Sequence, residues 1–120
     1  MCGLVGFTLP RNGDNAVLED MLSSISYRGP DQSNILIDKD FAVGHKRLII
    51  ISPNGGLQPR YDSCKKKFIA YNGELYGYSL LTKELQEKGV QLSDSSDTEV
   101  LFQMIQNYGI KKTLNKIDGM

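Results

Sequence analysis

Apolar and polar positions change period along this chain, and each change marks an expected element. Residues 3–9 form a short apolar run closed by Pro10, Arg11, Asn12 and Gly13, which reads as a buried strand. Val17, Leu18, Met21, Leu22 and Ile25 then recur at helical spacing, with Asp14 or Asn15 placed to cap the helix. Two strands, 35–37 and 41–48, are separated by Asp38, Lys39 and Asp40, which predicts a hairpin. Leu48, Ile49, Ile50 and Ile51 are apolar on both faces, the pattern of a strand end buried under a second layer. Residues 52–59, with Pro53, Gly55, Gly56 and Pro59, cannot hold regular structure, and a loop of that length is often functional.

The second half repeats the alternation of periods. Phe68, Ile69, Ala70 and Tyr71 predict a strand that runs into Asn72-Gly73-Glu74, where Asn-Gly is itself a turn signal. Leu80, Leu81 and Leu85, with Lys83–Glu87 and Glu84–Lys88 pairs, describe an amphipathic helix stopped by Gly89. Ser96-Asp97-Thr98-Glu99 is a capping box, followed at helical spacing by Val100, Leu101, Met104, Ile105 and Tyr108 up to Gly109. A short helix is expected over 111–117. Strands and helices follow in mixed order without regular β-α-β alternation, so the fold class is α+β, a layered sandwich rather than a doubly wound sheet. Neither an internal repeat nor an interior linker divides the 120 residues, which form one domain or part of one.

Charge narrows the function classes. Lys plus Arg and Asp plus Glu both number 14, and the basic residues are scattered except at Lys65, Lys66 and Lys67, which suit a solvated hairpin tip. Nucleic acid is therefore not the expected partner. The N-terminal stretch has no basic leader region, and no apolar run approaches the ~20 residues of a membrane helix, so a cytoplasmic location without membrane contact is expected. Cys2, Cys64 and a single His45 do not make a usual zinc site, and no metal is expected.

The candidate chemistry starts at Cys2. If Met1 is removed, Cys2 carries a thiol titrating near ~8.5 and an α-amine near ~7.7–8.0, so a nucleophile and its base share one residue. A cysteine in this position is equally read as a small buried hydrophobe. Arg47 lies where a strand meets the Gly/Pro-rich loop, and its planar fork suits a carboxylate, although a strand-edge cation needs no ligand. Asn72 and Gly73 offer a side-chain amide and a backbone N–H, the two donor types that stabilise an oxyanion; a hairpin turn is the competing reading. Glu74 and Asp97 could hold an ammonium group, while the helix dipole alone would explain Asp97. His45 reads as a strand residue with a satisfied hydrogen bond, and a Cys2/His45 dyad is the alternative. Arg28, Gly29, Pro30 and Asp31 read as a turn.

Seven blocks, MCGLVGF, RGPD, GHKRL, GLQP, NGELY, SDTEVL and DGM, stand in the order and at about the spacing of glutamine-dependent asparagine synthases. The chain resembles their N-terminal class II glutamine amidotransferase domain, an N-terminal-nucleophile hydrolase with an αββα sandwich. That resemblance implies a glutaminase in which Cys2 is the nucleophile, Asn72 and the Gly73 amide form the oxyanion hole, and Arg47 binds the glutamine α-carboxylate. It places Glu74 and Asp97 at the α-amino end and the backbone of Leu48, Ile49, Ile50 and Ile51 along the pocket wall. It also implies a partial domain over 1–120, since family members continue after DGM with a further strand and then a synthetase domain. That synthetase domain, downstream or in a partner chain, would use ATP and Mg to activate the carboxylate that receives ammonia; the present domain needs no cofactor, and a homodimer is an allowed assembly. A catalytically inactive binding or regulatory module built on the same pocket is the rival class. Four departures stand out. Ile49 replaces a small or polar residue, Ser52 an Asp, Asn34 a Gly and Gly77 an Asn, with Asn34 expected to inherit a glycine's backbone shape and Gly77 expected to loosen the next helix start.

Overall fold

The first helical run behaves as its spacing predicts. The computed structural model describes residues 2–8, 11–50 and 52–120, and in it α1 spans Asn15–Ser24 and buries Leu18 and Leu22. Burying two leucines removes enough apolar surface to contribute about 2–3 kcal/mol each. Asp14 occupies the N-cap position without a side-chain cap. Its carboxylate turns back to the Arg11 N–H, and its carbonyl accepts the first helical bond from Leu18 at 3.0 Å.

The chain divides into two compact units, Met1–Ile50 with Leu57–Asn72, and Ile51–Gly56 with Gly73–Met120. The first is built on an antiparallel sheet of β1 (Gly3–Thr8), β2 (Gln32–Ile37) and β3 (Phe41–Arg47), in the order β1-β3-β2. The expected hairpin joins β2 and β3, with Asp38 N–H on the Phe41 carbonyl at 2.9 Å. The register sets both Leu4 and Asn34 opposite His45. Alternation along β3 puts His45 and Arg47 on one face and Ala42, Gly44 and Lys46 on the other. Leu22 of α1 is seated on Gly44, so the helix covers that second face and leaves His45 and Arg47 on the first. Leu9 and Pro10, expected in and after the first strand, lie outside the described residues.

Four expectations for these segments are corrected. The run Leu48 to Ile50 is not a strand end: β3 stops at Arg47, Leu48 and Ile49 are half-buried irregular backbone, and Ile50 is 71% exposed. The cause is a carboxylate that captures the chain there, described below; Ile51 lies outside the described residues. The strand expected over 68–71 is only β5 (Phe68–Ile69), paired with β4 (Arg60–Tyr61), which the sequence pattern did not reveal. The three lysines do sit at that hairpin's tip, where the Asp62 carboxylate accepts the N–H groups of Lys66 and Lys67. Asn72-Gly73 makes no hairpin, and Asn34 lies in regular strand at negative φ, so it inherits no glycine-like backbone.

In the second unit, β6 (Leu75–Tyr76) pairs with β7 (Asp118–Gly119), and α2 (Tyr78–Glu87), α3 (Asp97–Tyr108) and α4 (Ile110–Leu114) follow the predicted spacing. Leu75, Leu85, Val100, Phe102 and Met104 form its core. Gly77 adopts a left-handed backbone ahead of α2 and supplies no side-chain cap. Glu84 attracts Lys88 as expected but bonds elsewhere: its carboxylate meets the Tyr108 hydroxyl and Lys116, while Lys88 lies over the Tyr108 ring at 4.2 Å. Bonds from Lys116 and Tyr108 hold the Glu84 carboxyl below its usual range. Helices and antiparallel sheets together make the chain α+β.

Candidate active site

Cys2 immediately precedes β1, and continuing the β1–β3 register by one residue sets it opposite Arg47. Two contacts fix it. Its carbonyl accepts the Arg28 Nε–H at 2.9 Å, and its thiol lies 3.8 Å from the Leu48 carbonyl. The peptide that follows that carbonyl is itself held, because the Ile49 N–H donates to the Asp31 carboxylate at 2.7 Å. A trans peptide points its C=O and N–H in opposite directions, so one plane is held between the Cys2 thiol and Asp31. Asp31 N–H also donates to the Arg47 carbonyl at 3.1 Å.

Gly29 shows how closely this loop is applied to β3. A Cβ there would stand 2.4 Å from the Lys46 carbonyl oxygen and 2.6 Å from the Arg47 carbonyl carbon, so only glycine fits. The segment Arg28 to Asp31, read from the sequence as a turn, is thus the clasp that holds both the nucleophile candidate and the Leu48 peptide. Two charged side chains flanking Gly-Pro were the available signal.

Arg47 is buried, and its Nη1 donates to Gln32 Oε1 at 2.9 Å, one of the five donors a guanidinium carries. Asn72 is half-buried and follows Tyr71, whose backbone N–H donates to a side chain, Gln58 Oε1, at 2.7 Å. This pairing with a side chain ends β5 early. Burial lowers the His45 pKa to about 4, opposed by hydrogen bonding to the Tyr71 backbone and reinforced by repulsion from Arg47. Transfer of a thiol proton to such an imidazole runs several pK units uphill, and the Cys2 thiol faces Leu48 rather than His45. The geometry therefore opposes a Cys2/His45 dyad.

Glu74 and Asp97 are brought together in the second unit. Asp97 opens α3, is 7% exposed, and its Oδ2 accepts the Leu75 N–H at 3.2 Å, one residue beyond Glu74. Glu74 is exposed at its side chain and tied at its backbone, exchanging two bonds with Met120. The first turn of α3 is built as the capping box predicts in one half: Ser96 Oγ accepts the Glu99 N–H at 3.1 Å. The other half is redirected, since the buried Glu99 accepts from Ser93 and Gln103, while Ser96 N–H goes to Asp94. A carboxylate at this helix start is a fixed negative charge favoured by the dipole. Gly73 is half-buried at the head of this unit. Among the described residues, no group of three or more His, Cys, Asp or Glu side chains is placed to hold a metal ion, and no helix is long and apolar enough to cross a membrane.

A clasped cysteine before the first strand, a strand-end arginine and an Asn-Gly pair are parts an amide-hydrolysing domain would need. A family model described as a glutamine amidotransferase domain matches residues 1–120, and the chain belongs to that family. Its relatives include asparagine synthetase [glutamine-hydrolyzing] 3 of Bacillus subtilis, 40% identical over 84% of this chain and 17% of the relative. Asparagine synthetase [glutamine-hydrolyzing] 1 of the same organism is 34% identical over 100% of this chain and 20% of its own length. Asparagine synthetase B [glutamine-hydrolyzing] of Escherichia coli is 35% identical over 78% of this chain and 17% of its own length. The chain thus spans about a fifth of the length of the curated relatives it matches.

Proposed function

We propose that this chain is the glutaminase part of a glutamine-hydrolysing asparagine synthetase, with Cys2 as its nucleophile. Removal of Met1 exposes the α-amine of Cys2, which takes the thiol proton, and the thiolate attacks the side-chain carbonyl carbon of glutamine. The oxygen becomes an oxyanion stabilised by the Asn72 amide and the Gly73 N–H. Collapse breaks the C–N bond, the α-ammonium returns the proton to the leaving nitrogen, and ammonia departs. Water then cleaves the γ-glutamyl thioester to glutamate and restores the thiol.

Arg47 holds the α-carboxylate through its planar fork, Asp97 and Glu74 hold the α-ammonium, and the backbone at Leu48 and Ile50 lines the pocket. Fixed charges at the amino-acid end and neutral donors at the amide end select glutamine over glutamate. The observation that carries the reading is the double hold on Cys2, at its carbonyl by Arg28 and at its thiol by Leu48. An αββα N-terminal-nucleophile sandwich, of which these residues are one part, and a cytoplasmic setting belong to the same reading. So does a synthetase domain that receives the ammonia and uses ATP and Mg; every step above uses only side chains and backbone of this chain.

Steady-state glutamine hydrolysis tests it. The full chain should release glutamate and ammonia in equal amounts, and Cys2→Ala should lose at least about 10³-fold in kcat. Glutamine binding without turnover by protein that has lost Met1 would favour an inactive module instead.

A further inference from the structure

The last of the seven sequence blocks, Asp118-Gly119-Met120, has no part in the proposed mechanism, yet it closes on a candidate site residue. In the β6–β7 pair Gly119 stands opposite Leu75, and the pairing continues one residue further. There Glu74 N–H donates to the Met120 carbonyl at 2.9 Å, and Met120 N–H donates to the Glu74 carbonyl at 3.0 Å. The peptide between Glu74 and Leu75 is held from its other side as well, because the Leu75 N–H donates to Asp97 Oδ2 at 3.2 Å. Both peptides flanking the Glu74 Cα are therefore bonded, the first through its N–H and the second through its C=O and its N–H. A residue has only two soft backbone dihedrals, so holding the two planes fixes the direction of its Cα–Cβ bond. None of the three bonds uses the Glu74 side chain, which is exposed. Gly119 is what lets β7 come this close. A Cβ there would overlap the Glu74 carbonyl oxygen and stand 3.4 Å from both the Glu74 carbonyl carbon and the Leu75 Cα. Gly119 is not at positive φ, so close approach rather than backbone conformation calls for glycine. Its strand is tied to the helices too, since Lys116, two residues before β7, meets the Glu84 carboxylate of α2.

We propose that Gly119 is a positioning residue: it lets β7 clamp the Glu74 backbone against Asp97, and so places the first of the two carboxylates that receive the α-ammonium of glutamine. This inference rests on the reading of Glu74 and Asp97 as the ammonium end of the site and extends it to the strand that places Glu74. Asp97 needs no such strand, because the helix it opens fixes it. Ordering a long, exposed side chain when a ligand binds is costly, and a backbone already held on both sides lowers that cost.

The test compares glutamine with glutaramate, the same molecule without its α-amino group, in steady-state hydrolysis by the full chain. Gly119→Ala should raise KM for glutamine about fivefold or more with kcat changed less than about threefold, because the defect lies where the substrate is held rather than where charge develops. Its kcat/KM for glutaramate should stay within about twofold of wild type, since that substrate has no ammonium contact to lose, and the preference for glutamine should narrow accordingly. In a Glu74→Gln background, Gly119→Ala should change KM for glutamine less than about twofold, since the charge it places is gone. Should Gly119→Ala fail to fold, Met120→Pro, which deletes the N–H on the Glu74 carbonyl without a Cβ against that oxygen, carries the same comparison with the same expectation. An unchanged KM in folded Gly119→Ala, an equal loss on both substrates, or a loss undiminished by Glu74→Gln would overturn the positioning role. A Glu74→Gln protein that keeps the wild-type KM and preference for glutamine would instead overturn the ammonium reading on which it rests.

Discussion

The two units hold their candidate site residues by opposite means. In the second, Asp97 is placed by the helix it begins: Ser96 caps α3, Asp94 fixes Ser96, and Glu99 reaches back to Ser93, all within seven residues of sequence. In the first, Cys2 is placed by Arg28 and Leu48, and Tyr71, the residue before Asn72, by Gln58, across 13 to 46 residues. Local fixing gives a rigid charge at a helix start. Long-range fixing gives a cysteine and an Asn72 segment whose placement depends on the whole sheet being formed, so damage to that unit should spread further.

The largest expected effect breaks the long-range side. Gly29→Val drives a side chain into the Lys46 and Arg47 backbone, which cannot yield, and should cost more than about 3 kcal/mol; thermal unfolding should show loss of the cooperative transition. Next comes Arg47→Lys, which keeps the charge and loses the fork. KM for glutamine should rise about tenfold or more with a smaller change in kcat, and an unchanged KM would remove Arg47 from the pocket. On the local side, Asp97→Ala leaves the buried Leu75 and Thr98 N–H groups without their acceptor and should cost about 2 kcal/mol in denaturant unfolding. Ser96→Ala, which removes one cap, should cost about 1 kcal/mol and leave KM for glutamine within twofold.

The smallest effect is a pH dependence confined to the first unit. His45 titrates near 4 when folded against about 6.5 in a free chain, so the unfolded chain binds its proton first. Stability should fall as pH drops from about 6.5 to about 4, by no more than about 1.4 kcal/mol per unit. His45→Asn should flatten that slope.

The same contrast explains what the sequence made legible. The α3 cap, the α2 stop at Gly89 and the β2–β3 hairpin were readable because each signal lies within a few residues of the structure it causes. Asp31's capture of the Ile49 N–H was not, so residues 48–50 read as buried strand although Ile50 is exposed. The early end of β5 was hidden for the same reason, since its cause lies in Gln58. Ser52, where an Asp is usual in the resemblance, has φ 52, a conformation Asp accepts more readily than Ser. That strain also has no local signature. The candidate site residues were named through motif order, whereas the reason each stands where it does required the contacts.

The central claim, that an exposed N-terminal Cys2 is the glutamine nucleophile, is tested most directly by mass spectrometry of protein isolated from cells and treated with a glutamine-like diazoketone. The account predicts a chain lacking Met1, carrying one adduct on Cys2 and none on Cys64, with labelling suppressed by excess glutamine. Retained Met1 with an unlabelled Cys2, or equal labelling of Cys64 that glutamine does not suppress, would contradict it.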